Sequence, residues 1–331
     1  MDSPRCYRLG RFDVHGMPLH VEAEEPVLFE AVDRILGPFS ARQAQREEFV
    51  LRVCRRTAAA ALYDDLPCLW QGMLPSGYAA RYMADQSRRR LELVGAAVAE
   101  LDLSTRRAQI TLLSQDDRCI AGGCLTPLLT EMLRTTGWHL IHAACLRAGA
   151  GTSARAVLLC GQSGLGKTTT ALALSRGPLR LLGDDAAFIR GDGKDPLVFG
   201  LPRPCKVHPH TAELLGWLPA MIAGARTVGD EFILDFARVG EPTPQAVVPA
   251  AVLIMGPRNL AGHELRPVDK LSAVAELARQ NVRHLGGGAP FAAVAALAAC
   301  CGCYALSVGP DLNGLGRAIL SLPELSDAAA C

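Results

Sequence analysis

The 331-residue chain contains very little lysine and almost no net charge. Lysine and arginine together number 34, and only Lys167, Lys194, Lys206 and Lys270 are lysines, so arginine carries most of the positive charge. Aspartate and glutamate number 33, and the net charge of +1 provides no overall attraction to nucleic acid or to an anionic membrane. The sequence therefore predicts no nucleic-acid partner and no membrane partner, and we expect the partner to be recognised locally.

Long hydrophobic runs are also missing. The longest apolar run, Phe291 to Cys301, is too short to cross a bilayer, and the first thirty residues lack the apolar core of a signal peptide. The 12 cysteines lie in apolar stretches of a long chain, which is typical of reduced thiols rather than of a disulfide framework. Together these absences predict a cytoplasmic protein.

The first part of the chain, residues 1–128, predicts a small α+β recognition module. Hydrophobic residues make up 50% of the whole chain and charged residues 20%, which excludes a disordered protein, and the length favours two domains. Periodicity and turn residues predict elements at Pro26–Leu36 and Ala41–Tyr63 (helices) and at Tyr78–Met83, Arg90–Val94 and Ala108–Leu113 (strands).

The second part, residues 129–331, has the alternating pattern of an α/β domain. A strand, a glycine-rich loop, a helix and another strand follow one another, an order that places ligands at the carboxyl ends of strands. The predicted helices are Leu125–Gly137, Thr168–Ser175, Ala212–Leu218, Pro290–Ala299 and Leu312–Leu320. The predicted strands are Ile141–Leu146, Ala156–Cys160, Leu179–Gly183, Phe232–Phe236, Ala250–Met255 and Ala305–Val308.

The strongest motif is the stretch Gly-Gln-Ser-Gly-Leu-Gly-Lys-Thr, which fits the phosphate-loop pattern Gly-x-x-x-x-Gly-Lys-Thr between a strand and a helix. Its glycines let backbone N–H groups surround an anion, the lysine can reach the β and γ phosphates, and the threonine hydroxyl suits magnesium. The motif therefore predicts ATP and Mg²⁺ as cofactors. The predicted nucleotide-binding residues are Gly161, Gln162, Ser163, Gly164, Leu165, Gly166, Lys167, Thr168 and Thr169.

Two further features stand near this loop in sequence. Asp184 and Asp185 end an apolar strand, and Asp184 follows Lys167 by 184 minus 167, or 17, residues. An aspartate-rich turn is the simpler interpretation of the pair, but beside a phosphate loop one carboxylate suits proton acceptance from a hydroxyl and the other suits magnesium. His142 lies in an apolar strand, where a histidine is commonly a core residue, but a neighbouring strand position would bring it to the phosphates.

The chain resembles the HPr kinase/phosphorylase family, and more closely its shorter HPr kinase-related members. The resemblance is in the order and spacing of three segments, His142–Ala144, Leu158–Thr168 and Leu181–Asp185. The resemblance is good over roughly residues 125–210 and loose beyond. It implies a P-loop kinase domain of the HPr kinase/phosphoenolpyruvate carboxykinase type. It also implies Asp184 as the proton acceptor, and Lys167 and His142 as phosphate contacts. Thr168 and Asp185 are then the predicted magnesium ligands.

The chain departs from the family pattern at two places. Thr169 stands where the enzymes that act on HPr usually have glutamate, and Leu201–His208 lacks their acidic, glycine-containing signature. We therefore expect neither dephosphorylation nor HPr as the substrate. Some relatives phosphorylate the precursor peptide of a natural product, so the resemblance implies a peptide or protein serine as the acceptor.

The sequence thus predicts a magnesium-dependent kinase that transfers the γ-phosphoryl group of ATP to a hydroxyl. Two alternatives stay open: a small-molecule kinase, and a nucleotide-gated regulatory protein without transfer activity. A homo-oligomer is also open. Arg203, Lys206 and Arg283 are further candidates for contact with an anionic group, although solvated charges at strand ends are the simpler interpretation.

Overall fold

The computed structural model describes residues 8–43, 48–58, 65–74, 76–191, 196–281 and 288–326. The chain divides into two compact units, Met1–Thr136 and Gly137–Cys331. The division thus falls after Thr136 rather than after residue 128, because the helix that precedes it belongs to the first unit. Both units mix helices with strands, so the structure has the predicted α/β character. No helix in the described part of the chain is long and apolar enough to cross a membrane.

The first unit is built on an eight-stranded sheet. Its elements are β1 (Arg8–Asp13), β2 (Pro18–Ala23), α1 (Pro26–Leu36), β3 (Phe49–Arg55), β4 (Cys68–Met73), β5 (Ala79–Ala84), β6 (Arg88–Leu93), β7 (Ala97–Asp102), β8 (Arg107–Leu112) and α2 (Leu125–Arg134). The strand order is β1-β2-β3-β8-β7-β6-β5-β4. Strand β3 is parallel to both of its neighbours, and the other pairs are antiparallel.

Two predicted helices of this unit had different outcomes. Helix α1 has the predicted bounds, and its buried residues, such as Leu28, Val32 and Ile35, recur at helical spacing. The predicted helix Ala41–Tyr63 is wrong where it is described, because Phe49–Arg55 is a central strand. Phe49, Leu51 and Val53 are buried in alternation with less buried residues, which is the period of a strand. Residues 44–47 and 59–63 of that prediction lie outside the described residues.

The second unit contains one large sheet and two small ones. Its strands are β9 (His139–Ile141), β10 (Ala143–Ala148), β11 (Arg155–Cys160), β12 (Leu179–Gly183), β13 (Ala187–Arg190), β14 (Leu197–Gly200), β15 (Cys205–Val207), β16 (Arg226–Val228), β17 (Glu231–Leu234), β18 (Val248–Met255), β19 (Glu264–Pro267) and β20 (Gly302–Ser307). Its helices are α3 (Lys167–Ser175), α4 (Pro209–Leu214), α5 (Leu218–Ile222), α6 (Lys270–Asn281), α7 (Gly288–Cys300) and α8 (Leu312–Leu320). The large sheet has the order β12-β10-β11-β18-β20-β19, and the small sheets are β14-β13-β9 and β15-β17-β16.

Helices cover both faces of the large sheet. Val157 and Leu159 of β11 pack in a core with α3 and α8, whereas Leu158, between them, packs in a second core with α6 and α7. Successive side chains of a strand point to opposite faces, so a continuous apolar run is what a strand between two helical layers requires. The three central strands, β11, β18 and β20, are parallel to one another.

The sequence predicted the elements around the glycine-rich loop but missed two interruptions and six described elements, namely β13, β14, β15, β16, β19 and α6. Strand β12 and helix α8 have the predicted bounds, and the predicted elements at β11, α3 and β18 differ only at their ends. The predicted strand Ile141–Leu146 is two strands, which belong to different sheets. The predicted helix Ala212–Leu218 is replaced by the short helices α4 and α5, because Leu215 leaves the helical conformation with ψ at 88°.

Candidate functional site

The candidate site lies where two chain segments cross between the large sheet and a small one. The first segment changes sheets at His142, between β9 and β10, and the second changes sheets after β12, at Asp184 and Asp185. Strands β10 and β12 pair in the large sheet, and β9 and β13 pair in the small one, so the two crossings lie side by side. Glycine at position 183 allows the second segment to pass close to β14. A Cβ atom at this position would lie only 2.7 Å from Gly200 Cα, which is too close.

The Gly161–Thr168 loop connects β11 to α3, as predicted from its motif. Gly164 and Gly166 have φ angles of 86° and 87°, a conformation that glycine adopts without steric cost. Gly161 is also restricted by space, since a Cβ there would lie 2.8 Å from Met255 Cβ. Because α3 begins at Lys167, within this motif, its first backbone N–H groups and the positive end of its dipole are directed toward the loop.

Lys167, the first residue of α3, folds back over the loop. Its Nζ donates hydrogen bonds to the carbonyl oxygens of Gly161, at 2.9 Å, and Gln162, at 3.4 Å. The side chain is 5% exposed. The ammonium group of Lys167 thus interacts with two carbonyl oxygens at the start of the loop. An anion bound in the loop would compete with these oxygens for the hydrogen bonds of the ammonium group.

Thr168 connects the loop to the aspartate pair. Its Oγ1 donates a hydrogen bond to Asp184 Oδ2 at 2.9 Å. Asp184 is buried, and its Oδ1 has no hydrogen-bond partner within the described segments. Burial, and then the negative charge of Asp185, raises the pKa of Asp184 from its usual 3.8 to about 7, against the opposing effect of the Thr168 hydrogen bond.

His142 and Asp185 form a second pair in the same site. His142 Nε2 lies 3.7 Å from Asp185 Oδ1, and both side chains are partly exposed. Burial lowers the pKa of His142, while the nearby carboxylate of Asp185 raises it less. Asp185 has a φ angle of 58°, in the left-handed region that non-glycine residues seldom occupy. The turn therefore directs the two adjacent aspartates to different partners.

The remaining predicted residues have varied surroundings. Gln162, Ser163 and Gly164 are exposed, and Leu165 packs against the core that contains α3. Thr169 Oγ1 is hydrogen-bonded to Thr211 Oγ1 at 2.7 Å, so its hydroxyl is engaged on the side of α4.

The three basic candidates also differ from one another. The positive charge of Arg203 is close enough to lower the pKa of both Asp184 and His142, whereas Lys206 forms an ion pair with Glu231 at 3.2 Å. Arg283 lies outside the described residues.

Two residues of α6 contact the site although no sequence motif pointed to them. Asn281 is fully buried, and its Oδ1 accepts a hydrogen bond from the backbone N–H of His142 at 2.5 Å. Its Nδ2 donates to Leu277 O at 2.8 Å. The side chain of Arg279 reaches Gln162 of the loop. The sequence around a polar residue of an amphipathic helix does not indicate these contacts, because the partners, His142 and Gln162, lie more than one hundred residues away in the chain.

The donor set fits magnesium held together with phosphate groups. Among the described residues there is no group of three or more His, Cys, Asp or Glu side chains that could hold a metal ion by themselves. Mg²⁺ in nucleotide sites commonly takes only one or two protein ligands and the phosphates. At the candidate site the hydroxyl of Thr168 and the carboxylate of Asp185 are two oxygen donors of this kind, and the buried Asp184 Oδ1, which has no hydrogen-bond partner among the described residues, is a third.

No protein-family model matches this chain, and no curated protein matches it significantly.

Proposed function

We propose that this chain is an ATP- and magnesium-dependent kinase with a P-loop kinase domain of the HPr kinase/phosphoenolpyruvate carboxykinase type, and that it transfers the γ-phosphoryl group to a hydroxyl. The observation that carries the proposal is the contact between Thr168 of the loop and Asp184. It joins a phosphate-loop motif directly to a buried carboxylate of raised pKa, and His142 lies beside the next residue, Asp185. These three motifs are separate in sequence and meet at one place.

The loop supplies binding. Its backbone amides and the N-terminal end of α3 hold the phosphates, and Lys167 exchanges the carbonyl oxygens of Gly161 and Gln162 for phosphate oxygens. Thr168 and Asp185 would hold magnesium, which would supply positive charge to neutralise the phosphates. His142 contributes a further contact to the transferred phosphoryl group.

Asp184 supplies the proton acceptor. Its carboxylate takes the proton of the acceptor hydroxyl while the hydroxyl oxygen bonds to the γ-phosphorus. The bond from this phosphorus to the β–γ bridging oxygen breaks, and ADP leaves. A carboxylate with a pKa near the working pH is well suited to this step, because it is both sufficiently deprotonated and sufficiently basic.

The Thr168–Asp184 hydrogen bond also favours a second assignment within the same function. In that arrangement Asp184 stands beside the metal that Thr168 holds, and Asp185, paired with His142, takes the proton. Magnesium titrations of two asparagine variants separate the two assignments, as described in the Discussion.

The proposed acceptor is the serine hydroxyl of a peptide or protein, and a precursor peptide of a natural product is the first class to test. The proposal for the acceptor comes from the resemblance to HPr kinase-related proteins. A panel of peptides incubated with the enzyme and γ-labelled ATP tests it, and label that appears only on a sugar or another small hydroxyl compound instead identifies a small-molecule kinase.

Thermal denaturation with increasing Mg-ATP tests the nucleotide site. Wild type is expected to gain stability as the ligand concentration exceeds the dissociation constant. Lys167→Ala is expected to lose most of this gain and to slow transfer on the order of 100-fold or more, as for deletion of a preorganised charge donor. Lys270→Ala is the control, because its ammonium contacts the carbonyl of Cys301. A wild type without ATP-dependent stabilisation would show that the nucleotide proposal is wrong.

A further inference from the structure

Arg279 belongs to none of the three motifs, yet its guanidinium contacts the phosphate loop. It lies near the end of α6, with a side chain that is about half exposed. The side-chain amide of Gln162 faces it, and with its oxygen toward the guanidinium it accepts hydrogen bonds from Nη1 at 2.8 Å and Nη2 at 2.7 Å. Gln162 is the second residue of the loop, so α6 holds one of the loop's own side chains.

The orientation of this arginine is fixed from the other side by Glu276. Arg279 Nε donates to Glu276 Oε2 at 2.9 Å, and Nη2 donates to Glu276 Oε1 at 2.6 Å. Gln280 Nε2 also donates to Glu276 Oε1, at 2.6 Å. The planar guanidinium therefore has one edge on a carboxylate and presents its Nη groups to Gln162, an arrangement that the point charge of lysine would not reproduce.

The backbone of Gln162 lies inside the loop. Its carbonyl oxygen accepts the N–H of Leu165 at 3.4 Å and the Nζ of Lys167 at 3.4 Å. Whatever immobilises the Gln162 side chain therefore also limits the movement of the loop turn and of the lysine that reaches for the phosphates. A loop ordered before binding loses less conformational entropy when the ligand arrives.

We propose that Arg279 is a positioning residue that preorganises the phosphate loop for Mg-ATP by holding the side chain of Gln162. This inference rests on the proposed function, because it takes Mg-ATP as the ligand of the loop. Arg279 acts through Gln162 and does not itself need to touch the nucleotide. Glu276 anchors the arginine, and the three residues form one chain of contacts from α6 to the loop.

Calorimetric titration of the full chain with Mg-ATP tests the proposal without any acceptor substrate. Arg279→Ala is expected to raise the dissociation constant about fivefold to tenfold, the effect of losing a hydrogen bond to a charged group. Gln162→Ala is expected to have a similar effect. The double variant is expected to be no weaker than either single variant, because both remove the same link. Arg279→Lys is expected to resemble Arg279→Ala.

A matched control is Arg266→Ala, since Arg266 is also an exposed arginine in an ion pair close in sequence, with Glu264 at 3.3 Å on β19. It is expected to leave the dissociation constant unchanged. Additive losses in the double variant would overturn the proposal, because Arg279 would then act independently of Gln162. An unchanged dissociation constant in Arg279→Ala, with a lowered melting temperature alone, would also overturn it. Failure of wild type to bind Mg-ATP would overturn the proposed function as well, and is thereby distinguished from these two outcomes.

Discussion

Asp184 and Asp185 are adjacent in the chain but have different environments. Asp184 is buried and bonded to Thr168, whereas Asp185 is partly exposed and faces His142. The turn that ends β12, in which Asp185 has a φ angle of 58°, directs the two side chains to these different partners. Because their environments differ, single substitutions of Asp184 and of Asp185 can test whether the two residues have different chemical roles.

The first prediction separates these roles. Asp184→Asn keeps the shape and still accepts the Thr168 hydroxyl, but it cannot take a proton, so transfer should fall by roughly 10² to 10⁴ while Mg-ATP still binds. Asp185→Asn should raise the magnesium concentration needed for half-maximal rate, because a charged ligand is lost. The measurement is the rate of transfer as a function of magnesium for both variants. If excess magnesium restores Asp184→Asn but leaves Asp185→Asn inactive, the two roles are exchanged.

The second prediction concerns stability. The pKa of Asp184 is about 7 in the folded chain and near 3.8 when unfolded, so between these values the folded state binds more protons. Stability is therefore lost as pH rises from about 4 to about 7, and Asp184→Asn should remove this loss. Without magnesium, the variant should be more stable than wild type at pH 8, by roughly 1–3 kcal/mol. The gain should disappear near pH 4.

Thermal melts of both proteins across this pH range make the measurement, with Asp269→Asn as the control. Asp269 is exposed, and the hydrogen bonds from the side chain and backbone of Ser272 lower its pKa, so this substitution should not stabilise the protein at pH 8. A variant at Asp184 that is less stable than wild type at pH 8 would contradict the prediction.

At the scale of the element, the consecutive arginines at the start of β6 form ion pairs with carboxylates. Arg88 pairs with Asp65 and Asp85, and Arg89 pairs with Glu131. Arg90 and Glu100, on the paired strands β6 and β7, are both buried and lie 2.6 Å apart. Arg90 also contacts Glu92. The run Arg88–Arg90 is thus matched by carboxylates within its own unit.

The third prediction follows from the buried pair. Glu100→Ala leaves the guanidinium of Arg90 buried with Glu92 as its remaining carboxylate contact among the described residues, so it should cost about 2–4 kcal/mol. The double variant Arg90→Met with Glu100→Leu should be within about 1 kcal/mol of wild type, since an apolar pair replaces two desolvated charges. Urea unfolding of the full chain measures both. Glu264→Ala, which breaks an exposed pair, is the control and should change stability by less than about 1 kcal/mol. Equal losses in the single and double variants would count against this account.

At the scale of the whole molecule, the direction of the proposed reaction depends on one segment of the second unit. Leu201–His208 contains no acidic side chain, and it comprises β15, the residues before it and His208 after it. Its basic residues are Arg203, near the aspartate pair, and Lys206, paired with Glu231. The expectation that inorganic phosphate does not remove the transferred group comes from the resemblance, because the family members that act on HPr carry an acidic, glycine-containing signature where this chain has Leu201–His208.

The fourth prediction is that transfer is not efficiently reversed by inorganic phosphate. Purified phosphorylated product, incubated with the enzyme, magnesium and phosphate, should release little pyrophosphate over the time in which forward transfer is complete. The same product with ADP and magnesium is the control, because reversal through ADP uses the forward machinery. Rapid pyrophosphate release would contradict the prediction.

Local patterns were sufficient for much of the second unit and for the loop. Gly161–Thr168 is recognisable because its glycines, lysine and threonine are consecutive, and β12 is recognisable as a short apolar run before a turn. The prediction for Phe49–Arg55 was wrong because the residues on either side resemble a helix. The alternation of buried and less buried residues that marks a strand covers only a short stretch there. Pairing with β2 and β8 decides that this segment is a strand rather than a helix, and β8 is distant from it in sequence.

The sequence by itself determined that Lys167 and Thr168 follow a glycine loop and that two aspartates end the next strand, because these features depend on neighbours in the chain. Only the tertiary structure decided that the predicted strand Ile141–Leu146 breaks at His142, since that break arises from pairing with two different sheets. Tertiary packing also brought Arg279 and Asn281 to the site. Contacts between residues so far apart depend on how helices pack on a sheet, and no local pattern of side chains specifies them.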